Sequence, residues 1–373
     1  MTCDFLIIGG GVAGASAGYF LAASGSVTLV EREAVAGWHS TGRSAALFTE
    51  YYGNDQVRAL TVASRPFYMS PPPGFTTPLV TPRGVLALCP HGAEERFAEM
   101  LASGLAAPVP VRELSPGEAQ AYCPIISPGW YSRAMIKPGV MDIDVDGVHR
   151  GFLRGIRARG GQVAYRAGLR SLISRGGKWH AVTDAGDFSA RTVVNATGAW
   201  ADEVAALASV RPAGLTPLRR TAFIAAPPGG VTVASWPMVA DVTETFYFKP
   251  ESGRLLISPY DATPMPPGDV RPDDLDVAVA IDRVQEATTL VIRHVQRAWA
   301  GLRTAADDDT PVIGEAPDAP GFFWLAGLSG YGIQTAPAAG RLTAALVTGG
   351  ELDPAQFDLT SIDLAALSPR RFF

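Results

Sequence analysis

The sequence predicts an α/β protein. A Rossmann-type dinucleotide-binding domain carrying a β-meander is joined to an α+β domain built on an antiparallel sheet, and both are discontinuous along the chain. Three observations carry that expectation. Phe5-Leu6-Ile7-Ile8 is an apolar strand running into Gly9-Gly10-Gly11-Val12-Ala13-Gly14, a G-x-G-x-x-G turn at the head of a helix. Residues 162–195 alternate short β-prone runs with tight turns. Residues 49–141 are broken by Pro-rich connections such as Pro71-Pro72-Pro73-Gly74 and Ser127-Pro128-Gly129, unlike the stretches on either side.

Taken in order, Gly9 permits the tight turn out of the first strand. Gly11 leaves room for a pyrophosphate, and Gly14 lets the helix over roughly 12–23 sit close on the sheet. The amides of Val12 and Ala13 then belong to a helix N-terminus, where N–H groups favour an anion. A second strand, Val27-Thr28-Leu29-Val30, ends at Glu31, the position from which a carboxylate holds a ribose 2′-OH, with Arg32 beside it. Strand, motif, helix, strand and terminal acid together specify a dinucleotide site; the motif alone does not separate NAD from FAD.

The loop that follows, Gly37 to Ala46, places Ser40, Thr41, Gly42, Arg43, Ser44 and Ala45 where a cofactor-lining segment is expected. In the Pro-rich block, residues 79–88 read as a β-hairpin and 93–104 as a short helix. Asp142-Ile143-Asp144-Val145-Asp146-Gly147 resembles the start of a calcium loop but lacks the downstream bidentate acid. Asp146 is better read as the N-cap of a helix whose Val148, Phe152, Leu153 and Ile156 share an apolar face, ending at Gly160-Gly161. No metal site is expected.

Runs at 162–165, 169–174 (opening on Leu169), 179–183 and 192–195 form the meander. The last leads into Ala196-Thr197-Gly198-Ala199-Trp200, where small residues let backbone approach a cofactor. Residues 218–225 read as a strand bearing Arg219 and Arg220. Tyr247 lies on a strand over 245–249, residues 274–298 are mostly helical, and Trp299-Ala300-Gly301-Leu302-Arg303 returns to the cofactor domain. Adjacent strand residues face opposite ways, so one of the two arginines is a solvated charge and Arg220, in phase with Ala222 and Ile224, faces inward. The strand 322–327 then enters Leu328-Ser329-Gly330-Tyr331-Gly332-Ile333-Gln334-Thr335 and a helix. This second glycine loop offers oriented N–H groups to a reduced flavin's negative charge.

Bulk properties narrow the function. At 373 residues the chain suggests two domains: 1–48, 142–210 and 304–373 for the cofactor, 49–141 and 211–303 for substrate. A net charge of −5 without a Lys/Arg run argues against nucleic acid. No apolar run is long enough to span a membrane, and the first strand starts too near Met1 for a leader, so a cytoplasmic protein is expected. Cys3, Cys89 and Cys123 are far apart and read as buried thiols, not a redox pair.

With the glycine fingerprint, His39-Ser40-Thr41-Gly42-Arg43-Ser44-Ala45-Ala46, Ala196-Thr197-Gly198 and Gly330-Tyr331-Gly332-Ile333-Gln334-Thr335 in hand, the chain resembles the FAD-dependent D-amino-acid oxidase superfamily, most of all its D-arginine dehydrogenases. The likeness covers nearly the whole chain. It implies a glutathione-reductase-type Rossmann domain, noncovalent FAD, and oxidation of D-amino acids to imino acids, which water converts to 2-oxo acids and ammonia; a monomer is expected. Electrons pass to oxygen, a quinone or another carrier. It also implies that Arg220, Tyr247 and Arg303 hold the substrate carboxylate, that Tyr52 lies over the substrate and that the Gly330 carbonyl meets the amine. Gln334 joins the pocket. A planar guanidinium suits that task, gripping a carboxylate through two parallel N–H bonds.

His39 has two readings: a covalent flavin attachment point, as a Trp-His pair is in some amine-oxidising relatives, or a hydrogen-bonding residue, which is preferred. Two departures bear on substrate. Val85 stands where the D-arginine enzymes have a glutamate, and Leu47 where they have a histidine. A cationic side chain would be left unpaired, so neutral, apolar D-amino acids are expected. The alternatives are N-methyl or cyclic amino acids of the sarcosine, glycine or proline type, a non-catalytic flavin-binding subunit and, more remotely, a 2-hydroxy acid dehydrogenase.

Overall fold

The computed structural model describes residues 1–350 and 357–372; residues 351–356 and 373, inside the third segment assigned to the cofactor domain, lie outside the described residues. Five strands run parallel at the heart of an eight-stranded sheet, in the order Gln162–Ala164, Val27–Val30, Thr2–Ile8, Gly186–Asn195, Phe322–Ala326. The long strand Gly186–Asn195 belongs to two systems. Its second half pairs with Thr2–Ile8 and its first half with Lys178–Thr183, which pairs with Leu169–Arg175 to make the antiparallel meander. The near-continuous apolar character of Leu6-Ile7-Ile8 and Val193-Val194 follows from that position, since both faces are covered. On one face pack the helices Val12–Leu21, Val145–Ala158 and Gly332–Thr348. On the other lie Trp179, Phe188, Ala201 and Trp324 beneath the meander.

The second, nine-stranded sheet draws strands from 85–137 and from 216–305. It is antiparallel except at one seam, where Met238–Asp241 pairs parallel with Val85–Pro90 and so joins two stretches distant in sequence. A three-stranded sheet of Leu47–Phe48, Met141–Ile143 and Val80–Pro82 lies at the chain crossings. Among the described residues no helix is long and apolar enough to cross a membrane.

Four local expectations are corrected. Residues 79–88 are not a hairpin: Val80–Pro82 and Val85–Pro90 belong to different sheets, and Arg83-Gly84 hands the chain from one to the other. The N-cap of Val145–Ala158 is Asp144, whose carboxylate accepts from the Gly147 amide at 2.9 Å, while Asp146 pairs with Arg150 one turn on. Asp142 is taken by Arg83 and Lys249, at 2.6 and 2.8 Å. Residues 274–298 are helical only over Asp274–Ala287. Thr288 turns to extended backbone (φ −141°, ψ 171°), favoured by the largely β-branched run Thr288-Thr289-Leu290-Val291-Ile292, and Val295–Ala305 is a strand against Thr216–Ala225. Arg219 and Arg220 do face opposite ways, but Arg219 is no solvated charge. Its side chain is 11% exposed and meets Asp261, Asp273 and Asp276, nearest at 2.7 Å.

Candidate active site

A cavity of about 510 Å³ is lined by both large sheets. Its first end is made by the glycine turn. Gly9 has φ +103°, and a Cβ there would stand 2.5 Å from the Ala196 carbonyl oxygen, so the turn and the 195–198 strand end close on each other. A Cβ on Gly14 would meet the Gly9 carbonyl oxygen at 2.0 Å: this glycine packs helix on turn and does not line the cavity. At Gly11, by contrast, a Cβ would find only the Thr41 hydroxyl, at 3.4 Å. The helix it opens has no side-chain cap, leaving N–H groups for an anion. One is engaged: the Val12 amide donates to Thr41 Oγ1 at 3.0 Å, which leaves the Thr41 O–H free to donate onward.

Glu31 accepts from the amides of Gly10 and Glu33, each at 2.8 Å, which fixes its carboxylate at the cavity wall. Beside it Arg32 lies over the Trp200 ring at 4.9 Å, and Leu169, Ala196, Thr197 and Gly198 complete this end. His39 also sits here, its Nε2 3.0 Å from Glu33 and its ring 4.7 Å from Trp200, in keeping with a hydrogen-bonding residue.

His149 was not singled out by sequence. Its Nε2 lies 2.8 Å from the Gly10 carbonyl oxygen and orients the peptide plane leading into Gly11. The only sequence signal is its place beside Val148 on the helix's apolar stripe. Burial holds its imidazole below the ordinary 6.5. The stability it contributes is therefore fully present above pH 6.5 and is lost as pH falls through the lowered folded value. His149→Gln, which keeps a donor but does not titrate, is expected to flatten the fall in Tm between about pH 7 and 5. Parallel Tm curves for the two proteins would refute this.

The middle of the cavity is the 40–45 loop, stitched to the strand Val295–Ala305. Ser40 donates to the Leu302 carbonyl, and the Trp299 indole donates to the Arg43 carbonyl at 3.0 Å. Arg43 itself pairs with Asp269 and donates to the Ala300 carbonyl at 2.9 Å. Its guanidinium thus anchors the loop, while Ser44 and Ala45 line the cavity and Gly42 bonds back to Gly37.

At the far end Arg220, Tyr247, Arg303 and Gly330 meet. Arg303 lies flush on Gly330, where a Cβ would come within 2.8 Å of its Nη1. The Arg220 guanidinium stacks over the Tyr260 ring at 5.1 Å, and Tyr260 in turn packs on Tyr247 at 5.0 Å. Tyr260 was also missed by sequence, having no motif to mark it. Nε and Nη1 of Arg220 are buried without a hydrogen-bond partner, and among the described residues neither Arg220 nor Arg303 pairs with a carboxylate. Burial, then the charge of Arg303, pulls the Arg220 pKa down. Two unneutralised guanidinia side by side are a seat for an anion.

Tyr52, expected over the substrate, is not among the residues lining the cavity; its ring packs 5.0 Å from that of Tyr331, and burial raises its hydroxyl. Tyr331 donates to Asp309 at 2.8 Å, and Gly332 and Ile333 reach the cavity between the two ends. Gln334 does not belong to the pocket: its side chain donates to Thr61 at 2.9 Å and accepts from the Thr49 amide at 3.2 Å, turned into the helix Asp55–Met69. Leu47 and Val85 do not line the cavity either; they pack with Met238, Ala240 and Leu256 in the apolar cluster that supports Tyr247.

Residues 4–346 match the family model described as DAO, FAD dependent oxidoreductase. The chain belongs to this family. FAD is accordingly the dinucleotide that the cavity takes, and the uncapped helix, the gap at Gly11 and the Glu31 carboxylate fit it. Among curated relatives, dimethylglycine dehydrogenase of Homo sapiens is 26% identical over 96% of this chain and 44% of its own length. Sarcosine dehydrogenase of Mus musculus is 23% identical over 96% and 41%. This chain thus spans less than half of those proteins. It spans 93% of the glycine oxidase of Bacillus licheniformis, at 26% identity over 93% of this chain. L-proline dehydrogenase from P. horikoshii shares the fold with a TM-score of 0.85 over 100% of this chain and 98% of that one, at 21% identity. The family resemblance stands, but these relatives carry the names of dimethylglycine, sarcosine and glycine enzymes rather than of a D-arginine dehydrogenase.

Proposed function

We propose that the protein oxidises a small amino acid of the sarcosine, glycine or proline type, at a carbon next to its amine, with FAD held noncovalently. The observation that carries this reading is the pair of guanidinia, Arg220 and Arg303, facing the cavity without an acidic partner among the described residues. In this reading both hold the substrate carboxylate with Tyr247, and the Gly330 carbonyl accepts from the amine. That grip would hold the substrate's C–H bonds in one orientation. FAD, when bound, supplies the hydride acceptor. The acidic and His side chains that line the cavity, among them Glu31, Glu33, His39 and Glu203, stand at the nucleotide end. Among the described residues no acidic or His side chain lines the substrate end, so in this reading the substrate loses the amine proton before transfer.

The substrate end of the cavity already carries the two guanidinia of Arg220 and Arg303, and among the described residues no acidic side chain lines that end, so a cationic substrate side chain would be left unpaired. A small secondary amine needs no such partner. The relatives' names support that class over the D-amino acids expected from sequence.

Anaerobic mixing of the holoprotein with sarcosine, N,N-dimethylglycine, glycine, L-proline, D-alanine and D-arginine, followed by the flavin spectrum, tests the reading. Bleaching is expected with one or more of the first four and not with D-arginine, and admitting air then shows whether oxygen is an acceptor. Bleaching by D-alanine alone would return the assignment to neutral D-amino acids.

A further inference from the structure

A second cavity, of about 550 Å³, lies against the same sheet face, beside the segment that carries Tyr51 and Tyr52. Its floor is Lys137, the cross-strand neighbour of Val85. Val62, Met100, Ala107 and Pro108 give it an apolar wall. The other charges around it are accounted for. Glu50 pairs with Arg65 at 3.1 Å, Arg58 with Asp55, and Arg96 with Glu244 at 3.6 Å, while Glu99 is exposed at the rim.

Lys137 has no carboxylate partner among the described residues. Its Nζ touches the Met100 thioether sulfur at 3.2 Å and faces the Tyr51 ring at 5.9 Å, neither of which neutralises an ammonium. Tyr51 is unavailable as an acceptor of charge, because its hydroxyl donates to the Val109 carbonyl. Burial accordingly pushes the Lys137 ammonium down to about 8, with Glu244 the one acid opposing the shift. The cation is retained at a cost that an anion beside it would remove.

We propose that this cavity is a second binding site, distinct from the flavin cavity, for a small monocarboxylate with an apolar body. The carboxylate seats on Lys137 and the body lies along Val62, Met100 and Pro108. The occupant touches Tyr51, the chain neighbour of Tyr52, and no residue lining this cavity lines the flavin cavity.

Lys137, Lys178 and Lys249 are the chain's three lysines, which makes the site readable by NMR. Lys249 is held by Asp142 and Glu251, and Lys178 is exposed. Holoprotein carrying ¹³Cε-lysine gives a signal for each, and loss of one in Lys137→Arg, or in Lys137→Met if that variant folds better, assigns it. Titrated alone, the Lys137 signal is expected to show a midpoint of about 8. Hexanoate is expected to raise that midpoint by about one pH unit, corresponding to a roughly tenfold preference for ammonium over amine, with the other two signals unmoved. A midpoint unchanged by hexanoate overturns the site. An equal rise with sulfate overturns the monocarboxylate, leaving an oxyanion pocket, and an equal perturbation by 1-hexanol overturns the role of charge.

Discussion

Arg220→Met leaves the protein folded and yellow but removes most of its turnover: kcat/KM falls by roughly 100-fold or more. The estimate follows from losing one charge-assisted, bidentate grip on a carboxylate in a dry pocket, about 3 kcal/mol. The Met side chain fills the volume of the Arg stem against Ala222, and it relieves the repulsion from Arg303, so folding has little to lose. Steady-state kinetics beside the flavin spectrum and Tm check this. Arg219→Met is the control that separates binding from architecture. It strands Asp261, which also holds the Thr221 amide and hydroxyl, so it lowers Tm while sparing the carboxylate seat. Should Arg220→Met retain near-native kcat/KM, Arg303 alone would have to carry the carboxylate.

Gly14→Ala is expected to yield protein without FAD. A methyl group at this position would stand 2.0 Å from the Gly9 carbonyl oxygen, and backbone cannot step aside as a side chain does. The helix Val12–Leu21 must shift off the turn, at a cost of about 3 kcal/mol, or roughly 5 °C or more in Tm. Because the same movement displaces the uncapped N–H groups from the cavity, cofactor and stability are lost together. The measurement is the ratio of flavin to protein absorbance with the melting curve. An Ala variant that purifies with full FAD and unchanged Tm would show that the helix is not fixed by this contact.

Local chemistry made the nucleotide end legible. The G-x-G-x-x-G turn, the strand ending at Glu31 and the Ala196-Thr197-Gly198 strand end each state their role within a few residues. Alternation correctly separated Arg219 from Arg220, yet no local pattern could say that three aspartates from 261–276 would bury the outward one. Two acids lay within reach of one helix start, Asp144 and Asp146, and backbone geometry chose the first. The hairpin expected over 79–88 failed because pairing partners are supplied from afar: Met141–Ile143 for one strand, Met238–Asp241 and Tyr131–Lys137 for the other. His149 and Tyr260 act through contacts across the fold, with the Gly10 carbonyl and the Arg220 guanidinium, and stand in no motif of their own. Arg43 and Gln334 show the reverse case, in which a motif residue is turned to architecture.

The parallel seam between Val85–Pro90 and Met238–Asp241 also sets a schedule. During synthesis the first of these strands emerges about 150 residues before its mate, and the cofactor sheet likewise waits for Phe322–Ala326. Neither sheet can close before its distant strand has been made, so closure is governed by contacts of very high sequence separation, the regime of slow folding. Until then Leu86 and Leu88 wait without the Val239 that later packs beside them in one apolar cluster. The interleaved architecture that brings Arg220, Arg303 and the glycine turn to one cavity therefore leaves the nascent chain in need of protection from aggregation until Phe322–Ala326 has been made.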